Sequence, residues 1–116
     1  MRIAVTGGSG ELGRNLVPYL LEQGHTVVSI DRAMPPIDFA RPRPWAEHLV
    51  ADTRNFGELV AVFRGCDAVI HLAALRSPMN HPDTVVYADN TISSYNALSA
   101  AATLGIKRVA AALSAL

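Results

Sequence analysis

The sequence predicts an α/β fold, because short apolar runs alternate along the chain with segments of helical periodicity. The 116 residues, half of them hydrophobic, are enough to build the core of one domain. The first apolar run meets a cluster of glycines within residues 7–13, and an amphipathic segment follows at once. Together these observations predict a doubly wound parallel sheet of about five strands, in the order 3-2-1-4-5, between two layers of helices.

The predicted strands and helices follow one another in a regular order. Strands are predicted near residues 2–6, 26–30, 48–51, 67–72 and 107–113. Helices are predicted near residues 11–23, 55–64 and 83–104, each followed by a glycine as a C-terminal stop signal. The proline-rich residues 33–46 are predicted to form a surface loop. The apolar spacing predicts that the inward residues are Leu12, Leu16, Tyr19 and Leu20 in the first helix, and Phe56, Leu59, Val60 and Phe63 in the second.

The glycine turn can be aligned with a dinucleotide-binding loop in two registers. Gly8, Gly10 and Gly13 fit the spacing G-x-G-x-x-G, whereas Gly7, Gly10 and Gly13 fit the wider spacing T-G-x-x-G-x-x-G. In both, one glycine permits the tight turn, Gly10 lets the backbone approach a pyrophosphate, and Gly13 lets the helix pack closely. The N–H groups at the helix start then face the phosphates, which predicts a Rossmann-like dinucleotide site. The alternative is a glycine-rich turn without a ligand.

Asp31 ends the second predicted strand, roughly 20 residues after the glycine turn, where an acid hydrogen-bonds the adenosine ribose. Such an acid disfavours a 2′-phosphate, so the sequence favours NAD over NADP as the cofactor. Arg32 complicates this choice, because an arginine beside the acid can accommodate the extra phosphate. The alternative interpretation of Asp31 is a turn residue at the end of the strand.

Composition excludes several other classes of function. The formal net charge is zero and the arginines are scattered, so neither nucleic acid nor an anionic membrane is expected as a partner. Cys66 is the single cysteine, and the four histidines lack metal-ligand spacing, so neither a disulfide nor a metal site is expected. No apolar run reaches the ~18 residues of a membrane span and no signal peptide is evident, so a cytoplasmic protein is expected.

Six motifs, in order, give the chain a resemblance to a known family. They are T-G-G-S-G-E-L-G at residues 6–13, G-H-T-V-V leading to Asp31, A-D-T-R at 51–54, D-A-V-I-H-L-A-A at 67–74, Y-A-D-N at 87–90, and G-I-K-R-V at 105–109. On these motifs the chain resembles the N-terminal part of an extended short-chain dehydrogenase/reductase of the NAD-dependent epimerase/dehydratase group. UDP-glucose 4-epimerase is its best-known relative. The resemblance covers nearly the whole chain.

The resemblance implies roles for the residues on the adenosine and pyrophosphate side. The backbone of residues 7–12 would hold the pyrophosphate, and Asp31 and Arg32 the adenosine ribose. Asp52 and Thr53 match the pair beside the adenine, where the carboxylate accepts a hydrogen bond from the exocyclic amine. The alternative for Asp52 is that it caps the second helix.

Further matches lie on the nicotinamide side. The stretch containing Leu72, Ala73, Ala74 and Arg76 resembles the segment that passes under the nicotinamide-side ribose and phosphate. Asn90 matches a cofactor-contacting asparagine of the family. The alternatives are an exposed helix residue for Asn90 and a solvated loop charge for Arg76.

The chain also departs from the family. Glu11 stands where relatives often carry an apolar or aromatic residue, and its charge would sit near the phosphates. His71 is interpreted as a core or strand-end histidine rather than a catalyst. Ser114 is the one serine at a plausible catalytic-serine position. The family's Tyr-x-x-x-Lys pair is absent, because the single lysine, Lys107, has Thr103 four residues before it.

The sequence therefore predicts a C-terminally truncated NAD-binding domain whose substrate region is missing. The parent reaction implied by the resemblance is hydride transfer at a sugar or nucleotide-sugar carbon, and the chain alone is expected to be inactive. Two alternatives are a stand-alone NAD-binding or sensing module acting through a partner, and half of an enzyme whose tyrosine and lysine come from a second chain. Self-association through the last strand and the helix at 83–104 is expected.

Overall fold

The computed structural model, which describes residues 1–36, 45–73 and 83–112, contains one sheet of five parallel strands. The strands are β1 (Arg2–Thr6), β2 (Thr26–Asp31), β3 (Glu47–Val50), β4 (Ala68–His71) and β5 (Arg108–Ala111). Their spatial order is β3-β2-β1-β4-β5, which confirms the predicted doubly wound topology. The predicted strand positions are also correct to within one or two residues at the described ends.

Helices cover both faces of the sheet, because the side chains of each buried strand point alternately to the two sides. The helices are α1 (Gly13–Glu22), α2 (Phe56–Phe63) and α3 (Asp83–Thr103). Ala4 of β1 belongs to a buried cluster that includes Leu59 of α2 and Ala97 of α3. The neighbouring Ile3 belongs to a second cluster that includes Val17 of α1. In the described part of the chain, no helix combines the length and apolarity needed to cross a bilayer.

The inward faces predicted for α1 and α2 are partly wrong. Leu12 and Tyr19 are 62% and 56% exposed, whereas the buried residues of α1 are Gly13, Val17 and Leu20. The buried stripe is displaced because Gly13 packs directly on the glycine turn, and the residues that share its face become the inward ones. In α2, Leu59 and Phe63 are buried as predicted and Val60 packs partly against them, but Phe56 at the first position is 41% exposed.

The N-terminus of α2 shows which residue caps this helix. Asn55 is the N-cap, and its side-chain oxygen accepts a hydrogen bond from the Glu58 backbone N–H at 3.1 Å. The Glu58 carboxylate in turn accepts from the backbone N–H of Asp52 at 3.3 Å. Because Asn55 caps the helix, the alternative in which Asp52 serves as its cap is wrong.

The strand register brings the carboxyl ends of all five strands to one edge of the sheet. Thr6 at the end of β1 is level with Ile30 of β2 and His71 of β4, and Asp31 is level with Val50 of β3. The chain order reverses between β1 and β4, so the crevice beyond the strand ends lies at a topological switch point. Open α/β sheets bind their ligands at this position.

Candidate functional site

A cavity of about 650 Å³ opens at the carboxyl edge of the sheet. Its wall is built from the glycine turn, the end of β2, the loop after β3, the end of β4 and one face of α3. The residues assigned to cofactor binding that line this wall are Gly7, Gly10, Glu11, Leu12, Gly13, Asp31, Arg32, Thr53, Leu72, Ala73 and Asn90. Ala74, Arg76 and Ser114 lie outside the residues that the structure describes.

The geometry of the glycine turn distinguishes the two possible registers. Gly7 has a φ of +71°, and its N–H donates to the carbonyl oxygen of Ile30 at 2.7 Å. A Cβ at Gly7 would also lie 2.9 Å from the Ala73 backbone nitrogen, so both conformation and space require glycine. Gly8, by contrast, faces the Ser29 side chain and does not line the cavity. The wider register, which starts at Gly7, is therefore the one that forms the cavity wall.

Gly13 and Gly10 differ in what a side chain would meet. A Cβ at Gly13 would lie 2.5 Å from the Gly7 carbonyl oxygen, so the close packing of α1 on the turn requires glycine there. A Cβ at Gly10 would meet only that same oxygen, at 3.2 Å. That contact is tight but relieved by a shift of a few tenths of an ångström, so the fold constrains Gly10, which is exposed on the cavity wall, less than it constrains Gly7 or Gly13. Exposed backbone at this point can approach a ligand closely, which is what a diphosphate at the helix start requires.

The Asp31 carboxylate faces the glycine turn. Its two oxygens accept from the Ser9 backbone N–H at 3.2 and 3.4 Å, and the Ser29 hydroxyl donates to it at 3.5 Å. These contacts hold the carboxylate toward the cavity, which Asp31 and Ser9 both line. An ionised carboxylate has capacity for further hydrogen bonds, so Asp31 can accept from a ribose hydroxyl at this position.

Two polar residues of α3 that were not among the predicted site residues hold the loop after β3. The Ser93 hydroxyl lies 2.9 Å from the Thr53 hydroxyl, and the Asn96 amide donates to the Thr53 carbonyl oxygen at 3.1 Å. All three residues are buried. The sequence does contain a pattern that indicates them: Asn90, Ser93 and Asn96 recur at intervals of three, which places polar side chains along one side of a helix otherwise rich in small residues. These contacts fix the part of the wall that Thr53 contributes.

Asp52 lies beside the cavity rather than in its lining. The Arg54 guanidinium donates to its carboxylate at 2.8 Å from Nη2 and 3.1 Å from Nε, and the Arg54 backbone N–H adds a third bond at 2.9 Å. Hydrogen bonds from the Arg54 side chain and backbone lower the pKa of Asp52 to about 2. The carboxylate is therefore ionised at neutral pH and remains an acceptor, already shared with Arg54.

A buried network connects the glycine turn to the end of β4. The Thr6 hydroxyl accepts from the backbone N–H groups of Leu72 and Ala73 at 3.1 and 3.2 Å, and lies 2.7 Å from Nδ1 of His71. With both lone pairs used, the hydroxyl proton goes to Nδ1, so the proton of neutral His71 is on Nε2. Burial lowers the pKa of His71, which keeps the ring neutral. His71 thus has a structural role that positions two residues of the cavity wall.

Comparison with known proteins identifies the family of this domain. The profile of the NAD dependent epimerase/dehydratase family matches residues 3–116. The chain belongs to this family. NAD is the family's cofactor, as the sequence predicted, and the observed strand order is the one expected of such a domain.

Two solved structures share the fold over almost the whole chain. Uronate dehydrogenase from Agrobacterium tumefaciens, a Y136A mutant complexed with NAD, is 29% identical with a TM-score of 0.78, over 97% of this chain and 40% of that one. UDP-glucose-4-epimerase from Stenotrophomonas maltophila, with bound NAD and formylated UDP-arabinopyranose, is 26% identical with a TM-score of 0.82, over 99% and 37%.

Curated relatives are also much longer than this chain. An uncharacterized protein of Mycobacterium tuberculosis is 39% identical over 112 residues, which is 94% of this chain. The same match covers only 12% of the relative's length. The chain therefore spans only a small part of the length of this relative.

Proposed function

We propose that this chain is the NAD(H)-binding portion of an NAD-dependent epimerase/dehydratase-like protein. The observation that carries the proposal is the meeting of Gly10 and Asp31 on one cavity wall at the switch point of the sheet. Gly10 offers exposed backbone on the cavity wall, and Asp31 offers a carboxylate at the end of β2. These are the two groups that a diphosphate and an adenosine ribose need.

The roles of individual residues belong to the same proposal. The turn from Gly7 to Leu12 would hold the pyrophosphate, and Asp31 the adenosine ribose. Asp52 would accept from the adenine amine while it stays paired with Arg54, and Thr53, held by α3, would form the adjoining wall. Asn90, Leu72 and Ala73 would contact the nicotinamide side, and all three line the cavity. Glu11 would lie near the phosphates and weaken their binding.

The parent reaction we propose is hydride transfer between the bound nicotinamide and a sugar or nucleotide-sugar carbon. Its support is that two similar solved structures are a uronate dehydrogenase and a UDP-glucose-4-epimerase. The chain lacks the Tyr-x-x-x-Lys pair of the family, so no side chain of the pair is present to take the proton of a substrate alcohol. We therefore expect the 116-residue chain alone to bind NAD without turning over a substrate.

Calorimetric titration of the purified chain with NAD⁺ tests the binding proposal. We expect one saturable site, weakened in a Gly10→Ala variant and unchanged in Glu22→Gln, which removes a charge at the far end of α1. Absence of saturable heat with the folded wild-type chain would refute the assignment. Measurable formation of NADH with sugars or nucleotide sugars would refute the expected inactivity.

Self-association and location complete the proposal. Tyr87, Tyr95 and Leu98 of α3 are 75%, 66% and 48% exposed, which is a large apolar surface for one helix. Among the described strands, β5 pairs only with β4 and leaves its other edge open. We expect a dimer or larger species in sedimentation velocity, and a clean monomer at high concentration would refute this. A cytoplasmic setting, proposed from the lack of an evident signal peptide or membrane-spanning run in the given sequence, is tested by cell fractionation.

A further inference from the structure

One carboxylate at the rim of the cavity lies between two arginines from separate parts of the chain. Oδ2 of Asp89, on α3, is 3.9 Å from Nη2 of Arg32 and 3.6 Å from Nη1 of Arg54. Arg32 follows β2 and Arg54 precedes α2, so Asp89 bridges two loops from a third element. The arginine side chains are 53% and 45% exposed, whereas that of Asp89 is 22% exposed.

The position of these arginines matters for the choice of cofactor. A guanidinium binds phosphate through paired, charge-assisted hydrogen bonds. Arg32 directly follows Asp31, the acid that faces the proposed ribose position, and both line the cavity. A phosphate on the ribose 2′-oxygen would arrive beside Arg32. Without Asp89, Arg32 would be free to bind this phosphate, and Arg54, paired with Asp52 nearby, would add positive charge beside it.

The net charge of the side chains at the rim disfavours the binding of a 2′-phosphate there. Asp31, Asp52 and Asp89 contribute three carboxylates, against the two guanidinium groups of Arg32 and Arg54. Arg54 is shared by Asp52 and Asp89, and Arg32 is paired with Asp89. A dianionic 2′-phosphate would therefore meet one net negative charge and two cations that already have partners.

We infer that Asp89 is a specificity-determining residue, which disfavours a 2′-phosphorylated dinucleotide by pairing with Arg32 and Arg54. The inference rests on the proposed NAD-binding function. Asp31 acts on the ribose hydroxyl itself, whereas Asp89 acts on the cations that would otherwise receive the phosphate. The two acids therefore contribute to the preference for NAD by separate routes, and Asp89 can be tested while Asp31 is left intact.

The test is the Asp89→Asn variant, which keeps the side-chain size and removes the charge. Binding of NAD⁺ and NADP⁺ is measured by calorimetry at low salt for wild type and variant. Asp89→Asn would free Arg32, while Arg54 stays paired with Asp52. Because an exposed ion pair changes an equilibrium by up to about fivefold, freeing Arg32 should lower the Kd for NADP⁺ relative to NAD⁺ by ~2- to 5-fold. The Kd for NAD⁺ should change by less than about twofold, since NAD lacks the phosphate that the arginines would bind.

Three controls separate this inference from a general effect of charge or folding. Glu22→Gln removes the same formal charge away from the cavity and should leave the ratio unchanged. Adding Arg32→Ala to Asp89→Asn should abolish the gain in NADP⁺ affinity, and raising the salt concentration should reduce it. Far-ultraviolet circular dichroism checks the fold of each variant, and Asp89→Ser provides a second neutral replacement.

The outcomes distinguish this inference from the proposed function. Wild-type chain that binds NAD⁺, with a ratio unchanged in both Asp89→Asn and Asp89→Ser, would overturn the role of Asp89 alone. A gain that persists without Arg32 would likewise overturn it. Folded wild-type chain that binds neither dinucleotide would overturn the proposed function, and this inference with it.

Discussion

Replacing Thr6 with valine removes one hydroxyl from a buried network and nearly preserves the side-chain shape. That hydroxyl accepts from the backbone N–H groups of Leu72 and Ala73 and donates to Nδ1 of His71. The Leu72 N–H keeps a second acceptor, the Thr6 carbonyl oxygen at 3.0 Å. The Ala73 N–H and His71 Nδ1 have no other partner in the described part of the chain, so two polar groups lose their hydrogen bonds.

The expected cost follows from those two groups. Loss of a partner costs about 1–3 kcal/mol for the buried Nδ1 of His71 and up to about 1 kcal/mol for the part-buried Ala73 N–H, so Thr6→Val should lower the free energy of unfolding by ~1–4 kcal/mol. For a domain of this size, that loss lowers the melting temperature by roughly 4–16 °C. Urea denaturation monitored by circular dichroism measures the free energy, and a thermal melt measures the temperature.

Matched controls make the comparison specific to the network. Thr103→Val makes the same chemical change at an exposed site, where the hydroxyl donates only to the Ser99 carbonyl oxygen at 2.8 Å, and should cost less than about 0.5 kcal/mol. Thr6→Ser retains the hydroxyl and should keep most of the stability. If Thr6→Val lowered the free energy of unfolding no more than Thr103→Val does, the hydrogen bonds of Thr6 would not stabilise the end of β4.

Three further predictions concern pH and the cavity. Burial lowers the pKa of His71 in the folded chain, so the unfolded chain binds the proton more readily. The contribution of His71 to the free energy of unfolding should therefore be fully present above about pH 6.5 and decrease as the pH falls below it. In urea melts at several pH values, His71→Asn should remove this dependence. Gly10→Ala should keep the melting temperature within about 3 °C of wild type and weaken NAD⁺ binding at least ~10-fold. Gly13→Ala should instead lower the melting temperature, because its Cβ would meet the Gly7 carbonyl oxygen at 2.5 Å. Asp31→Asn should weaken NAD⁺ binding by about tenfold in calorimetry, because a neutral amide replaces a charged acceptor.

Each of these predictions has an outcome that would contradict it. An unchanged pH dependence in His71→Asn would assign the dependence to other groups. Gly10→Ala protein that melts normally and binds NAD⁺ like wild type would show that no ligand approaches this backbone. For Asp31, the decisive comparison is with Asp67→Asn, which removes a carboxylate that accepts from the Arg2 backbone N–H near the opposite ends of the strands. Equal effects on NAD⁺ binding would contradict a ribose contact at Asp31.

The architecture could be predicted because it depends on local patterns. The nearly all-apolar run at residues 67–72 predicts a strand covered on both faces, and β4 pairs with β1 and β5 in the sheet. The glycine spacing likewise indicates a tight turn and a closely packed helix start, and Gly7 and Gly13 occupy those positions. The inward face of α1 could not be assigned correctly from periodicity, because the packing of Gly13 on the turn rotates the buried stripe by one residue.

The positions of the backbone elements that form the candidate site could be predicted from the sequence, whereas the partners of its polar and charged side chains could not. Asp31 lies where the chain order places it, since the end of β2 and the glycine turn meet at one edge of the sheet. The burial of Ser93 and Asn96 against Thr53 required three-dimensional contacts. Asp52 and Arg54 are only two residues apart, but the residue types alone did not indicate that they pair. A polar residue on a helix has the same sequence signal whether it faces solvent or a buried loop.

What the sequence determined by itself was the alternation of strands and helices, the glycine turn and the acid at the end of β2, because each arises from neighbours within a few residues. Tertiary structure alone decided which side chains meet across the crevice. Thr6 and His71 are 65 residues apart and Thr53 and Ser93 are 40 apart, and only the packing of the sheet and α3 brings each pair within hydrogen-bonding distance. The same packing places Asp89 between two arginines, because burial and chain topology, not spacing along the chain, determine which charges become partners.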